Sequence, residues 1–185
     1  MIGFDDPALR AARLKWQYRG TTRPEFAEAP GPGQRSVWDF PRPPRIAPDS
    51  REVQVRWRDK PIATSRRALT VCETAGPPTW YLPLDDVDRD RLHAVDGQSV
   101  CEWKGVASYF DVIEGGARLA RAAWTYPEPF PGAETLTRHI AFYPHQLECR
   151  VAGELVLPQP GNLYAGWVTR DLTGPFKGAP GTEWW

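Results

Sequence analysis

The sequence has few residues of the kinds that mark a metal site or a disulfide framework. Its three cysteines and three histidines are scattered, with no CxxC pair and no Cys/His cluster at metal-ligand spacing. An odd number of distant cysteines is typical of buried thiols in a reducing compartment. The sequence therefore predicts no metal site, and zinc is specifically disfavoured.

An excess of one charge and long apolar runs are also missing. Lys plus Arg number 23 and Asp plus Glu number 23, so no field of one sign attracts a nucleic acid or a membrane surface. Apolar stretches are only a few residues long, and the N-terminal MIGFDDPALR carries acid where a signal peptide carries base. We therefore expect a cytoplasmic protein that binds neither nucleic acid nor membranes.

Nucleotide-binding motifs are absent as well. The chain has no GxxxxGKS phosphate loop, no GxGxxG pattern, and no glycine-serine loop with paired strand carboxylates for a metal-bound triphosphate. Asp85, Asp86, Asp88 and Asp90 would scatter around a helical turn, so they are interpreted as a solvated face. No cofactor is predicted.

Abundant proline, glycine and tryptophan indicate the fold class. The 185 residues include 20 prolines, 16 glycines and 9 tryptophans. Proline ends helices and large aromatic residues favour the half-buried surface of a sheet, so the composition predicts short strands joined by turns. A chain of this length fits one ordinary domain with a real core.

The pattern along the chain predicts one helix ahead of a mainly β domain. Asp6 can cap a helix over 6–19 that has Pro7 at its first position. The proline-rich run 21–48 should wrap the surface as extended chain. We divide the chain into an N-terminal helix and Pro/Gly-rich arm (1–34), a β domain (35–150), and a C-terminal hairpin with an aromatic Gly/Pro-rich tail packed on the same domain (151–185).

Alternating apolar residues predict the strands. A hairpin over 51–63 turns at 58–60, and a last hairpin turns at Ala152-Gly153. The second half predicts an antiparallel meander with a Gly115-Gly116 turn. Strands are predicted within 51–57, 65–74, 79–82, 99–103, 107–113, 119–124 and 140–143, and short helical segments at 84–92 and 133–138.

Six motifs, in order along the chain, carry a family resemblance. They are WDFPRPP (38–44), SRRAL (65–69), ETAGPPTWYLP (73–83), CEWKGVASYFDV (101–112), AAWTYPEP (122–129) and HIAFYP (139–144). Through them the chain resembles the bacterial domain of unknown function four-two-seven, which also carries a nucleotidyltransferase-like label. The resemblance implies a β-tent, in which two small antiparallel sheets meet at an angle and enclose a cleft. Related tents hold zinc with paired cysteines, so the resemblance implies that packing replaces the metal here, and it implies no established reaction.

Lys104 and Glu73 are the charged candidates for a site. Lys104 lies in a predicted turn and could bind an anionic group or, if desolvated, act as a base or nucleophile; the structural alternative is a lysine paired with a nearby carboxylate. Glu73 could serve as an acid or base, or it could form a structural ion pair with Arg66 or Arg67.

Aromatic residues on different predicted strands could form a box in the cleft. Trp80, Trp103, Tyr109, Trp124 and Tyr126 would then hold a flat ring or a cation. The alternative is that they are core, since aromatic residues at period-two spacing usually face the interior. Either interpretation places Trp124 and Tyr126 on the same face of one strand.

Three hypotheses about function follow. The first is a small-molecule-binding domain with an aromatic and basic cleft. The second is an enzyme that uses Lys104 or Glu73 as general base. The third is an interaction module that presents Ala29–Pro48, with Trp38 and Phe40, to a protein partner. In the first hypothesis the cleft is lined by Arg66, Glu73, Lys104, Tyr109, Trp124 and Tyr126.

Overall fold

The structure of the protein is a computed structural model that describes residues 2–161 and 163–185. Within these residues the chain forms one α-helix, α1 (Pro7–Leu14), and four 3₁₀ turns, at Val37–Asp39, Leu84–Asp86, Arg89–Arg91 and Glu134–Leu136. The strands are β1 (Arg35–Ser36), β2 (Arg45–Asp49), β3 (Val53–Trp57), β4 (Lys60–Ser65), β5 (Ala68–Cys72), β6 (Thr79–Pro83), β7 (Leu92–Cys101), β8 (Gly105–Glu114), β9 (Ala117–Thr125), β10 (His139–Phe142), β11 (Glu148–Val151), β12 (Glu154–Leu155), β13 (Leu157–Pro158), β14 (Trp167–Val168) and β15 (Leu172–Thr173).

Two antiparallel sheets form the body of the protein. The larger has seven strands in the order β2-β5-β6-β10-β9-β8-β7, and the smaller has four in the order β12-β11-β3-β4. Two short pairs, β1 with β15 and β13 with β14, attach the terminal parts of the chain. The prediction of a mainly β protein is confirmed, whereas the division of the chain at 34/35 and 150/151 stays a prediction.

The two sheets share one apolar core. Because side chains alternate along a strand, Trp80 and Leu82 of β6 face this core while Tyr81 between them faces the other way. Val53 and Val55 of β3 meet them from the smaller sheet, and each of the four core-facing side chains is at most 1% exposed. The space between the sheets is therefore packed with side chains, each of which contributes roughly 1.5–3 kcal/mol by its burial.

The C-terminal segment contributes to this core as well. Trp167 of β14 is fully buried, its ring centroid lies 6.1 Å from that of Trp80, and its Nε1 donates a hydrogen bond to the carbonyl of Phe142. The indole thus closes one end of the packed space without leaving its N–H unsatisfied. Trp167 of the aromatic tail thus packs into the core that the two sheets share.

Helix α1 begins where the sequence predicts and ends earlier. The Asp6 carboxylate accepts a hydrogen bond from the backbone N–H of Ala8 at 2.8 Å, and Pro7 occupies the first helical position. The helix stops at Leu14 instead of Arg19. It stops there because the chain turns toward the C-terminus, where the backbone N–H of Gln17 donates to the carbonyl of Trp184.

The proline-rich arm is anchored by two buried rings, as predicted. Trp38 is 0% exposed and Phe40 is 4% exposed. The Trp38 ring packs against Tyr18 and Trp185, with centroids 5.2 Å apart in both pairs. The prediction of extended surface chain to residue 48 was wrong at its end, because 45–49 forms β2 and pairs with β5.

The three predicted hairpin turns are confirmed, and each has a left-handed backbone. The β3–β4 hairpin turns at Arg58-Asp59, with φ of 50° and 59°, and the other two turn at Gly115-Gly116 and Ala152-Gly153, where φ is also positive. The segments predicted as helical at 84–92 and 133–138 contain only 3₁₀ turns.

The described part of the chain has no helix long and apolar enough to cross a membrane. All three cysteines carry free thiols, and Cys72 and Cys149 are buried. Burial raises the pKa of both buried thiols, which therefore stay protonated and unreactive at neutral pH.

Candidate functional site

A cavity of about 440 Å³ lies against the face of the large sheet that points away from the shared core. Its floor is aromatic because the side chains opposite to the core-facing residues of β6, β8 and β9 are mostly rings. The floor residues are Val71, Tyr81, Tyr109, Trp124, Tyr126 and Tyr143.

The roof of the cavity comes from the two ends of the chain. Trp16 follows helix α1, and Gln159, Tyr164 and Lys177 belong to the C-terminal tail. The Gln159 side chain joins two parts of that tail, since its Nε2 donates to the carbonyl of Lys177 at 2.7 Å and its Oε1 accepts from the backbone N–H of Gly166 at 3.1 Å. Buried hydrogen bonds thus hold the parts of the tail together, and the backbone N–H groups of Trp167 and Lys177 attach it to the carbonyls of Pro78 and Ala75.

Lys104 lies in the turn between β7 and β8, at the rim of the aromatic floor. Its carbonyl accepts a hydrogen bond from the backbone N–H of Phe130, and its Nζ lies 6.0 Å from the Tyr126 ring centroid. Burial lowers the pKa of the Lys104 ammonium, but interactions with Cys101, Tyr81 and Glu73 raise it by more, and of these Glu73 carries the negative charge at neutral pH. The pKa of Lys104 is raised overall, so Lys104 is a cation at neutral pH.

Glu73 pairs with Arg42, which was not predicted. The fully buried Arg42 side chain donates from Nε to Glu73 Oε1 at 2.9 Å, and its other nitrogens donate to the carbonyls of Tyr18, Thr74 and Trp185. Burial raises the pKa of the Glu73 carboxyl, but Lys104, Lys177 and Arg42 lower it by more. Glu73 is therefore a carboxylate at neutral pH.

The predicted pairing of Glu73 with Arg66 or Arg67 was wrong. Arg66 donates to Glu52 at 2.8 Å on the outer surface, and Arg67 pairs with Asp86. Both arginines lie between β4 and β5, and neither is among the residues that line the cavity.

Lys177 is the second cation of the cavity. Its side chain is only 4% exposed, and its Nζ lies 4.1 Å from the Trp16 ring centroid and 4.3 Å from that of Tyr164. Burial lowers the pKa of Lys177 to about 8; Glu73 acts in the opposite direction. Lys177 is thus mainly protonated at neutral pH, with a minor fraction of neutral amine.

Tyr81 and Tyr126 on the floor are neutral phenols. Tyr81 Oη accepts a hydrogen bond from Trp124 Nε1 at 3.3 Å, and burial raises the pKa of Tyr81 to about 12. Burial also raises the pKa of Tyr126 well above its usual value. These hydroxyl groups can donate hydrogen bonds to a bound molecule while the rings present flat faces.

Glu102 positions the indole of the roof. Its Oε1 accepts a hydrogen bond from Trp16 Nε1 at 2.6 Å, and its backbone carbonyl accepts two from the Arg13 guanidinium. These bonds fasten the end of helix α1 to the β7–β8 turn. Glu102 therefore holds in place the Trp16 ring that packs against the Lys177 ammonium.

A second cavity, of about 730 Å³, lies beside the N-terminus. It is lined by apolar residues such as Phe4, Val106 and Phe130, and among its described lining residues only Glu128 is charged. The first cavity is the better candidate because cations, carboxylates and hydroxyl groups surround its concave surface.

The structure brings five of the six predicted site residues together around the first cavity: Glu73, Lys104, Tyr109, Trp124 and Tyr126. It leaves out Arg66. Of the other rings considered, Trp80 faces the shared core and Trp103 is buried beside Arg13. The cavity residues that sequence reasoning missed include Trp16, Tyr81, Tyr143, Tyr164 and Lys177. Tyr81 and Tyr143 had a local signal, since Tyr81 alternates with the core-facing Trp80 and Leu82, and Tyr143 follows the core-facing Phe142 in the same pattern.

The fold and the cavity define a mainly β domain with an aromatic, basic concavity on one sheet. A family model described as "Domain of unknown function (DUF427)" and labelled NTP_transf_9 matches residues 45–153. This match covers more than half of the chain, so the chain belongs to that family, as the motifs indicated. No curated protein matches the chain. Among residues 2–161 and 163–185, no group of three or more His, Cys, Asp or Glu side chains is placed to hold a metal ion.

Proposed function

We propose that the protein binds a small molecule that carries a planar ring and an anionic or carbonyl group in the cavity on the large sheet. One observation carries this proposal: the ammonium groups of Lys104 and Lys177 both line the cavity. In the described part of the chain neither of them forms a salt bridge with a carboxylate. Desolvated cations without a direct partner favour an anionic or strongly polar ligand group.

The aromatic floor suits the planar part of such a molecule. Tyr81 and Trp124 meet edge to face, with centroids 6.0 Å apart, and the Trp124 and Tyr143 centroids are 4.6 Å apart. Ring pairs of this kind contribute about 0.5–1.5 kcal/mol beyond area burial, so a third ring has favourable faces to contact.

The charge balance limits the ligand to a small negative charge. Lys104, Lys177 and Arg42 oppose the two carboxylates of Glu73 and Glu102 in and behind the cavity wall. The wall thus has a net charge of one positive unit, which suits one carboxylate, a phosphate held by both lysines, or a polarised carbonyl.

A binding role is favoured over the enzyme that uses Lys104 or Glu73 as general base. A general base works best when its pKa lies near the operating pH. The raised pKa of Lys104 keeps its ammonium protonated at neutral pH, and the lowered pKa of Glu73 makes its carboxylate a weak base. The interaction-module hypothesis also loses support, since Trp38 and Phe40 are buried against their own domain.

Two further expectations belong to this proposal. The β-tent architecture is supported by two antiparallel sheets packed across one core, but the expected cleft between the sheets is filled by side chains and the cavity lies on the other face of the large sheet. A cytoplasmic location is supported by three free thiols.

Thermal-shift and tryptophan-fluorescence titrations with nucleosides, cyclic imides and aromatic carboxylates test the proposal. At least one ring-bearing compound is expected to raise Tm, and Lys104→Met is expected to weaken its binding by about tenfold or more through loss of a charge-assisted contact. Lys60→Met, at an exposed lysine in the β3–β4 hairpin, is the matched control. The proposal fails if no such compound binds, or if both variants bind it as tightly as the wild-type protein.

A further inference from the structure

Lysine is rare in this protein, and two of its four lysines line the cavity. The chain has four lysines, namely Lys15, Lys60, Lys104 and Lys177, and the other 19 of its 23 basic residues are arginines. Lys15 and Lys60 are exposed, whereas Lys104 and Lys177 line the same concave surface. Arginine holds charge as well as lysine does, but only lysine can supply a neutral primary amine.

The Lys177 amine is held in a defined place. The backbone N–H of Lys177 donates to the carbonyl of Ala75 at 2.8 Å, and its carbonyl accepts from Gln159 Nε2. The side chain then runs between Trp16 and Tyr164 to the cavity. A fixed backbone and two flanking rings orient the nitrogen before any ligand arrives.

The charges around Lys177 divide the two cavity lysines into different roles. Burial lowers the pKa of Lys177, Glu73 and Glu102 raise it, and Arg42 and Lys104 lower it. The result, about 8, leaves part of the Lys177 population as neutral amine at neutral pH, whereas Lys104 stays an ammonium. The cavity therefore places a nucleophilic nitrogen beside a permanent cation.

We propose that Lys177 forms a reversible imine with an aldehyde or ketone group of the molecule bound in the cavity. This inference rests on the proposed function, since it requires a ligand there. The nitrogen lone pair attacks the carbonyl carbon and a C–N bond forms, while the oxygen gains one proton and the nitrogen loses one, giving a carbinolamine. The hydroxyl group then leaves as water with the remaining N–H proton, and a C=N bond is left. No oxidant or reductant takes part in these steps.

Pyridoxal 5′-phosphate is the probe, because it combines a planar ring, an anionic phosphate and an aldehyde. The full-length protein is incubated with it and reduced with borohydride, and adducts on the four lysines and the N-terminal amine are quantified by peptide mass spectrometry. We expect at least about tenfold more adduct on Lys177 than on Lys15 or Lys60, with labelling of Lys177 that rises around pH 8.

Two lysine-to-arginine variants serve as a matched pair. Lys177→Arg keeps the charge and should abolish the dominant adduct, while Lys60→Arg should leave it unchanged. Urea unfolding curves of both variants verify that each remains folded. Equal labelling of Lys15, Lys60 and Lys177, or a dominant adduct that persists in Lys177→Arg, overturns the inference.

Pyridoxine 5′-phosphate separates this inference from the proposed function, because it has the same ring and phosphate without an aldehyde. If it raises Tm while pyridoxal 5′-phosphate leaves no reducible adduct on Lys177, the imine is overturned and ligand binding stands. If neither compound raises Tm and Lys177 is not labelled, the imine fails together with its premise.

Discussion

Arg42 is the residue on which the charged wall of the cavity depends. Its guanidinium, with no exposed side-chain surface, joins Glu73 to three backbone carbonyls and lies 4.2 Å from the Trp16 ring. One side chain thereby connects the arm, the large sheet and the C-terminus. Nothing in the local sequence marks this role, since RPPR around Arg42 and Arg45 reads as surface chain.

Replacing Arg42 should destabilise the protein strongly. Arg42→Met removes one partner of a buried ion pair and leaves Glu73 without its hydrogen-bonded counter-charge, at a cost of about 3–5 kcal/mol. Urea unfolding measures this loss. Arg66→Met is the matched control, since Arg66 makes only an exposed pair with Glu52 and exposed pairs contribute little. Similar unfolding midpoints for the two variants would contradict the assigned role of Arg42.

At the scale of elements, helix α1 depends on its cap more than on its length. Its eight residues are too few for a stable isolated helix, and Leu9 is its one buried side chain. The Asp6 carboxylate satisfies the N–H of Ala8 at the start. The helix in turn brings Trp16 to the cavity.

Removing this cap should lower the free energy of unfolding by about 1 kcal/mol. Asp6→Ala loses the hydrogen bond to the backbone, which is the usual magnitude for an N-cap. Asp5→Ala, which removes only an exposed contact with Arg10, should have almost no effect. Denaturant unfolding of the two single variants compares them directly. Equal losses would show that Asp6 does not act as the cap.

Local sequence signals predicted the hairpin turns, whereas the edge strand β2 is determined by its pairing with β5. Gly115-Gly116 and Ala152-Gly153 were predicted because a tight hairpin turn needs a left-handed backbone that glycine adopts without strain. Strand β2 was missed because it contains Pro48. Its position at the edge of the sheet makes Pro48 tolerable, since one side of an edge strand needs no hydrogen-bond donor.

At the scale of the whole molecule, close backbone approach holds two parts of the C-terminal tail together. A Cβ on Gly178, where φ is +133°, would lie 1.8 Å from the carbonyl oxygen of Pro160. A Cβ on Gly181, where φ is +87°, would meet nothing within 4 Å. The two glycines thus share a strained backbone conformation but differ in their surroundings.

Gly178→Ala should therefore destabilise the protein more than Gly181→Ala. Both variants bear the conformational cost of a side chain at positive φ, on the order of 1 kcal/mol. Only Gly178→Ala must also push the backbone at Gly178, next to Lys177, away from the backbone of Pro160. Thermal unfolding should show a clearly lower Tm for Gly178→Ala, and a smaller shift than that of Gly181→Ala would contradict the tight contact.

Part of the floor of the cavity could be predicted from the sequence, and its roof could not. Trp124 and Tyr126 share one strand face by simple alternation, and Lys104 lies in a turn that the pattern marked. Lys177 and Trp16 are 161 positions apart in sequence and meet only because the tail folds back over the sheet. No periodic pattern in the sequence indicates this contact, because tertiary packing creates it.

The family match stops at residue 153, yet Gln159, Tyr164, Lys177 and, ahead of it, Trp16 all enclose the cavity. The matched region thus contributes the floor of the cavity, and the flanking segments contribute its roof. Under the proposed function, substitutions in the flanking segments should change which molecule the cavity accepts, while the seven strands of the large sheet stay in place.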